Sequence, residues 1–395
     1  MKRVSAFPLP KLSRPDQDAL IQFLCDLIAI PSISTNEEKV IRRIEHEMLE
    51  VGFKRVWIDR MGNLIGQLGI PGGKKVLYQA HADTIGVGSR FDWRRDPYEP
   101  LVTDEVVWGR GASDSKQAIA AMVYGAKILA DRGVMLGGEL FVAATVQEEE
   151  CEGLALQTLV RVDGIRPDYL VVGEATGNRI QRGHLGRVEM AIAVRSPSCN
   201  TAYQGAQITL GIEELNRKLK ADPAMGKGSI AVTGLRAGSG TGDLVPDRCT
   251  LLVDRRLTLG EGEEQAVQEL EQLAKRLGVE AEVEVLRYEE PSWRGYARPY
   301  RKAYPPYLLP ENHELVQIAS SAVEEVTGDV PEIVSRTSFT DGNCTAGIEE
   351  IPAITFGPGN EAHVHTFQDQ VSIRELVDAA NSYALMAIDL IGLAD

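Results

Sequence analysis

Residues 76–88 read VLYQAHADTIGVG. The first five are mostly apolar, which suits a strand buried in a sheet, and the run breaks at His81, Ala82 and Asp83. A histidine and an aspartate directly after such a strand carry weight, because open α/β sheets build their sites outside the carboxyl ends of strands. The arrangement repeats. Residues 139–145 form an apolar, β-branched run leading to Gln147, Glu148, Glu149 and Glu150, and residues 169–172 lead to Gly173 and Glu174. Asp114 lies in WGRGASDSK and His365 in FGPGNEAHVHT, two further segments rich in glycine.

Outward from these strands, 16–28 has helical periodicity, with Leu20, Leu24 and Leu27 on one face. A second helix is expected at 37–51, with Val40, Ile41, Ile44 and Met48 inward and Gly52 at its C-terminal cap. Strands are expected at 55–58 and 63–67, and a helix at 116–131. This alternation predicts an α/β domain with a mostly parallel sheet. The character changes near His184. Strands at 187–195, 228–233, 249–254 and 279–286 enclose helices at 204–220 and 264–277, the βαββαβ order of a ferredoxin-like unit. A helix at 312–327, with Asn312 its expected N-cap, a strand at 351–356 and a helix at 372–393 resume the first pattern. The expected organisation is one domain made of 1–183 and 291–395, interrupted by a smaller α+β domain at 184–290.

A length of 395 residues exceeds one ordinary core, in keeping with two domains. The net charge of −15 sets nucleic acid aside as a partner. No uninterrupted apolar segment is long enough to cross a bilayer, and Pro8 and Pro10 break the run that a leader needs after Lys2 and Arg3. The five cysteines (Cys25, Cys151, Cys199, Cys249 and Cys344) are odd in number, scattered and without a CxxC pair. They point to a reducing, cytoplasmic location and away from a thiolate metal site.

Two imidazoles with several carboxylates form a borderline-hard ligand set that suits zinc, and also cobalt or manganese. Five ligands with one bridging carboxylate suit two ions roughly 3.5–4 Å apart. Plainer readings exist for each part. A glutamate triplet can be a solvated helix start, and Asp114 can cap the helix after it. Their joint occurrence at strand ends, in order and with glycine beside most of them, favours a site.

The ordered motifs HADTIGVG, GRGASDSKQAIAA, TVQEEECEG, VVGEATG and FGPGNEAHVHTFQD resemble the family of aminoacylase, acetylornithine deacetylase, succinyl-diaminopimelate desuccinylase and carboxypeptidase G. The likeness spans nearly the whole chain. Residues 291–316, PSWRGYARPYRKAYPPYLLPENHELV, look most like the hydrolase subgroup associated with selenium metabolism. The resemblance implies a dinuclear metallohydrolase that cleaves an amide bond of a small N-acyl amino acid or dipeptide-like substrate. It implies that His81 and Glu174 hold one ion, that Glu149 and His365 hold the other, and that Asp114 bridges them. It makes Asp83 the partner of the far nitrogen of His81, and Glu148 the general base for a metal-bound hydroxide. A cis peptide after Asp114 is implied as well. Glu148 and Glu149 are neighbours, so a base and a ligand there need a turn rather than an extended backbone. The family also implies that the inserted domain forms a homodimer, and junctions near Gly183 and at Arg287-Tyr288 are expected to act as hinges that let it close over the metals.

The chain departs from the pattern at one place. The family's insert carries a histidine that stabilises the oxyanion in the partner subunit; here the run is RSPSCNTAYQGAQ, with Asn200 in that position. An asparagine amide donates a hydrogen bond but carries no charge. His184 and Tyr203 are nearby in sequence and could compensate or simply pack. Arg256, in LLVDRRLT, matches a family arginine that binds a substrate carboxylate; an ion pair with Asp254 is the alternative. Thr340, Asp341 and Gly342 fall in the family's substrate-contacting loop. His363 is a second candidate ligand, but the resemblance favours His365, since the family pattern is a histidine followed shortly by an acidic residue, here Asp369. Two other readings remain open: an N-carbamoyl-amino-acid hydrolase, and a metal-retaining binding protein in which Asn200 marks lost catalysis.

Overall fold

The computed structural model describes residues 11–196, 198–239, 245–336 and 340–394; the first ten residues, on which the argument about a leader rests, lie outside them. Strand β1 (Arg55–Ile58) forms a hairpin with β2 (Leu64–Gly69), and β3 is Lys75–His81. Helix α3 (Lys116–Asp131) leads to β4 (Glu139–Thr145), α4 (Leu154–Arg161), β5 (Tyr169–Val172) and β6 (Ile180–His184), and it is preceded in the chain by α1 (Arg14–Ile28) and α2 (Glu38–Glu50). The second unit contains β7 (Gly186–Arg195), α5 (Thr201–Lys218), β8 (Ser229–Gly238), β9 (Arg248–Leu257), α6 (Glu263–Arg276) and β10 (Ala281–Val285). The chain then returns through β11 (Tyr307–Leu308), α7 (Glu314–Thr327), β12 (Ile333–Arg336), β13 (Ala353–Thr355) and α8 (Ile373–Ile391).

The large sheet is nine-stranded, in the order β1-β2-β4-β3-β5-β13-β6-β11, with β12 beside β6. It is mixed, and its central strands β4, β3, β5 and β13 run parallel. Both faces of these strands are covered. Val76, Tyr78 and Ala80 join the core that includes α3 and α8, while Leu77 joins a second core with Leu156 and Leu159 of α4. Burial on both faces is why these segments read as continuous apolar runs rather than alternating ones. The register pairs His81 with Thr145, Gln79 with Val172 and Val172 with Thr355, so the carboxyl ends of four parallel strands meet along one edge.

The smaller sheet is antiparallel in the order β8-β9-β7-β10, with α5 and α6 packed against it and a separate apolar core. The chain is therefore an α/β protein with a second, ferredoxin-like α+β unit. Several boundaries differ from the sequence expectation. His184 ends a strand of the large sheet, and the small sheet begins at Gly186. Residues Ala303–Tyr304 return to pair with β7 at Val188 and Arg187. The expected N-cap Asn312 is displaced by one residue: the His313 ring accepts from Leu315 N at 3.2 Å. No helix among the described residues is long and apolar enough to cross a membrane.

Candidate metal centre

The edge built by β3, β4 and β5 gathers the chemistry-bearing residues. His81 Nε2 lies 3.1 Å from Asp114 Oδ1, 3.8 Å from Glu174 Oε1 and 3.9 Å from Glu148 Oε2. On the other side, His365 Nε2 lies 2.9 Å from Asp114 Oδ2 and 3.0 Å from Glu149 Oε2. Asp114 thus turns one oxygen to each imidazole. His81, Asp114 and Glu149 each offer a ligand atom, and these atoms lie within 4.8 Å of one another. His81, Asp114, Glu148 and Glu174 are buried, whereas the His365 side chain is 48% exposed, so the cluster opens to solvent on that side.

Main-chain geometry shapes the cluster. The Asp114–Ser115 peptide is cis, as the family resemblance implies. Asp369, fully buried, accepts from Gly111 N, Ser113 N, Ser113 Oγ and Arg110 Nη1, clamping the loop that delivers Asp114. Asp114 does not cap α3; Ser115 occupies that position. Asp83 acts differently from the expectation. Its carbonyl oxygen, rather than its carboxylate, is closest to His81 Nδ1, at 2.9 Å against 3.6 Å. Its two carboxylate oxygens instead accept from Glu148 N and Glu149 N at 3.2 and 3.1 Å. The turn demanded by that neighbouring pair is present, with Gln147 at φ 60°.

The charge balance calls for cations. Burial lowers the His81 pKa, but Glu148, Asp114 and Asp83 outweigh it and hold the ring well above its ordinary value. Hydrogen bonds to Asp114 and Glu149 push His365 up to about 10. Burial opposes ionisation of Asp114, yet hydrogen bonds from His365 and His81 hold its pKa below the usual carboxylate range. Burial raises Glu148 well above its usual value; His81 opposes the rise, and Asp341, Glu174 and Glu152 add to it. The site thus concentrates more carboxylates than imidazoles in a buried space. Ligands 2.0–2.2 Å from a tetrahedral ion stand about 3.3–3.6 Å from one another. The separations of 2.9, 3.0, 3.1 and 3.8 Å bracket that edge. A proton on His81 Nδ1 donated to the Asp83 carbonyl leaves the Nε2 lone pair facing the cluster. The donor set fits divalent metal ions.

Residues 77–389 match Peptidase family M20/M25/M40. The chain belongs to that family. It is 38% identical over 381 residues to the uncharacterized protein YgeY of Escherichia coli K12, covering 94% of each chain. It is 26% identical over 383 residues to a succinyl-diaminopimelate desuccinylase of Nitrosomonas eutropha, covering 91% of this chain and 95% of the relative. Its fold matches the M20 family metallo-carboxypeptidase Sso-CP2 of Sulfolobus solfataricus at a TM-score of 0.74 and 15% identity, over 96% of this chain and 99% of the other. As an M20 member the chain is a metal-dependent hydrolase.

Not every expected M20 residue is at the centre. Asn200 caps α5, its Oδ1 accepting from Ala202 N at 3.0 Å, which starts that helix three residues earlier than expected. Arg256 Nε donates to Asp254 at 2.7 Å, and Arg187 shares the same aspartate. Thr340 Oγ1 lies 3.1 Å from His184 Nε2 and accepts from Gly342 N at 3.2 Å. Gly342 is needed for close approach: a Cβ there would sit 2.6 Å from the Tyr307 hydroxyl. Asp341 reaches toward the centre, accepting from Gln79 Nε2 at 2.7 Å and Gly153 N at 2.5 Å, and burial raises its pKa to about 6. Two buried residues at this edge, Glu37 and Asn63, begin a helix and a strand in the sequence reading but have no site role there. Neither has a local signal, since one precedes a helix and the other a strand, both common places for polar residues.

Proposed function

We propose that this chain hydrolyses an amide bond in a small N-acyl amino acid or dipeptide-like substrate, using two divalent ions, with zinc the first candidate and cobalt or manganese the alternatives. His81 and Glu174 would hold one ion and Glu149 and His365 the other, with Asp114 shared between them. The reading rests on one observation above all: the two oxygens of a single buried carboxylate, Asp114, are divided between two imidazoles. The desuccinylase relative, whose name implies removal of an acyl group from nitrogen, supports the amide class.

Divalent ions held there would supply Lewis-acid activation of water and of the scissile carbonyl. Glu148 takes the proton of the attacking water and returns it to the leaving nitrogen, which otherwise departs as a poor anion. Its carboxylate is buried beside His81, with Oε2 3.9 Å from the ring Nε2, which places it at the cluster. Asp83 orients His81 through its carbonyl and holds the turn that carries Glu148. The domain division at 184–290 enters the proposal as a lid, with closure bringing Arg256 to the substrate carboxylate and Thr340 and Gly342 lining its far side. Assembly as a homodimer through the lid completes it. In support, β8 is the outer strand of its sheet among the described residues, and Leu235 and Leu252 are exposed on the β8–β9 pair.

The test is turnover with zinc, cobalt or manganese on N-acyl amino acids, N-carbamoyl amino acids and dipeptides, with elemental analysis alongside. The expected result is two ions per chain and cleavage of an N-acyl or dipeptide amide. Preference for the carbamoyl series redirects the substrate assignment, and full metal loading without turnover on any series overturns the hydrolytic one.

A further inference from the structure

Strand β4 ends at Thr145, and the four residues after it leave the ladder. Their main-chain N–H groups are nevertheless all taken by side chains. Val146 N donates to Asn63 Oδ1 at 3.1 Å, and Gln147 N donates to Glu37 Oε1 at 3.1 Å. Glu148 N and Glu149 N donate to the two oxygens of Asp83. All three acceptors are fully buried. Each is fixed in turn. Asn63 Nδ2 donates to Asp59 Oδ2 at 2.7 Å, Glu37 Oε1 also accepts from Thr35 N at 2.9 Å, and Asp83 Oδ2 accepts from Ser34 Oγ at 2.6 Å.

This cradle solves a geometric problem. In an extended strand, adjacent side chains point to opposite faces. Glu148 and Glu149 both reach the centre because Gln147 adopts a left-handed backbone, which a residue with a Cβ resists. Something must hold it there. Glu37 occupies the residue before α2, where an N-cap belongs, yet makes no side-chain capping bond. Its carboxylate instead crosses to Gln147, 110 residues away.

We propose that Glu37 and Asn63 are positioning residues for the Glu148–Glu149 pair, and that together with Asp83 they fix the turn that aims one carboxylate at the reacting water and the other at the second ion. The proposal rests on the reading of Glu148 as base and Glu149 as ligand. Neither Glu37 nor Asn63 touches substrate or metal in it. They act through one hydrogen bond each to the turn, Asn63 to Val146 N and Glu37 to Gln147 N, beside the two that Asp83 accepts.

The experiment compares Glu37→Leu, Glu37→Gln and Asn63→Leu with the wild-type full chain. Stepwise cobalt and zinc affinities are measured by chelator competition, and kcat and KM on the best substrate of the panel. Loss of a supporting contact around a metal site typically weakens binding by about 10–100-fold. Both leucine variants are expected to weaken one of the two ions by that factor while the other changes by less than about threefold. Their kcat should fall about 10–100-fold with KM nearly unchanged, since a slight misplacement at a reacting group has that scale of effect. Glu37→Gln keeps an acceptor oxygen and should restore both quantities to within about threefold of wild type. A folded leucine variant with unchanged affinities and kcat overturns the proposal, as does equal weakening of both ions. If the leucine variants fail to fold, Glu37→Asp, which retracts the oxygen by one methylene, is read by the same criteria. A wild-type chain that never takes up a second ion, or a fully active Glu148→Gln enzyme, overturns the reading of the centre itself, and is told apart because it needs no substitution at Glu37.

Discussion

The edge of the large sheet and the face of the inserted unit treat their polar residues in opposite ways. At the edge, buried carboxylates crowd imidazoles beyond any local structural need: Asp114 caps nothing, and Glu148 has a raised pKa beside His81. In the insert, the residues expected to meet substrate already hold local posts. Asn200 begins a helix and Arg256 is paired with Asp254. A surplus of buried carboxylates over imidazoles marks a site suited to cations, whereas a residue paired within its own unit must exchange a partner, or use its remaining donors, to take part.

The largest test of that contrast lies within the glutamate pair. Glu148→Gln should keep two ions and lose about 10²–10⁴-fold in turnover, the range that proton transfer by a positioned side chain supplies. Glu149→Gln should instead lose the second ion. Elemental analysis with steady-state kinetics reads both, and the reverse pattern places the ligand one residue earlier.

A smaller effect comes from pH. In the metal-free chain His365 is raised to about 10, so at neutral pH an ion must displace its proton. Affinity at that position should rise by up to tenfold per pH unit towards about pH 10 and then level, as competition titrations at several pH values would record. The same proton stabilises the metal-free fold: the contribution is complete below the unfolded value of 6.5 and is lost as pH rises through about 10. Metal affinity and metal-free stability should therefore run in opposite directions with pH. Parallel trends would remove His365 from the ligand set.

The smallest effect sharpens the insert's side of the comparison. Asn200→Ala removes the cap and should cost about 1 kcal/mol of stability, whereas Asn200→Asp keeps the capping oxygen and should cost little. Both remove the amide donor. If that donor serves catalysis in the partner copy, turnover falls in both while metal content stays at two. An Asp variant with normal turnover leaves Asn200 with capping alone.

Much of the sheet edge was legible in the sequence because β3, β4 and β5 are buried on both faces, and apolar runs of that length mark themselves. His81, Glu148, Glu149 and Glu174 stand just past their ends. Asp114 and His365 were harder, since each lies in an irregular loop and only the ordered motifs picked them out. The insert's βαββαβ order could be read from periodicity, but the return of Ala303–Tyr304 to its edge could not, because a two-residue pairing has no periodicity of its own. The part that Glu37 and Asn63 play at the site was invisible for a related reason. Their partners lie 110 and 83 residues away, and a hydrogen bond across that distance leaves no mark on neighbouring sequence.

The clamp on the Asp114 loop bears on the order of events in the making of this protein. Asp369 supports Ser113 from 256 positions further along, and His365 lies just before it. Synthesis runs from the amino end, so Asp114 emerges from the ribosome long before the residues that hold its loop and share its second oxygen. On the proposed assignment, the set of ligands is incomplete until His365 has emerged. Loading of the second ion would then be a late step of maturation, and a chain cut short before that point would carry at most half of the centre.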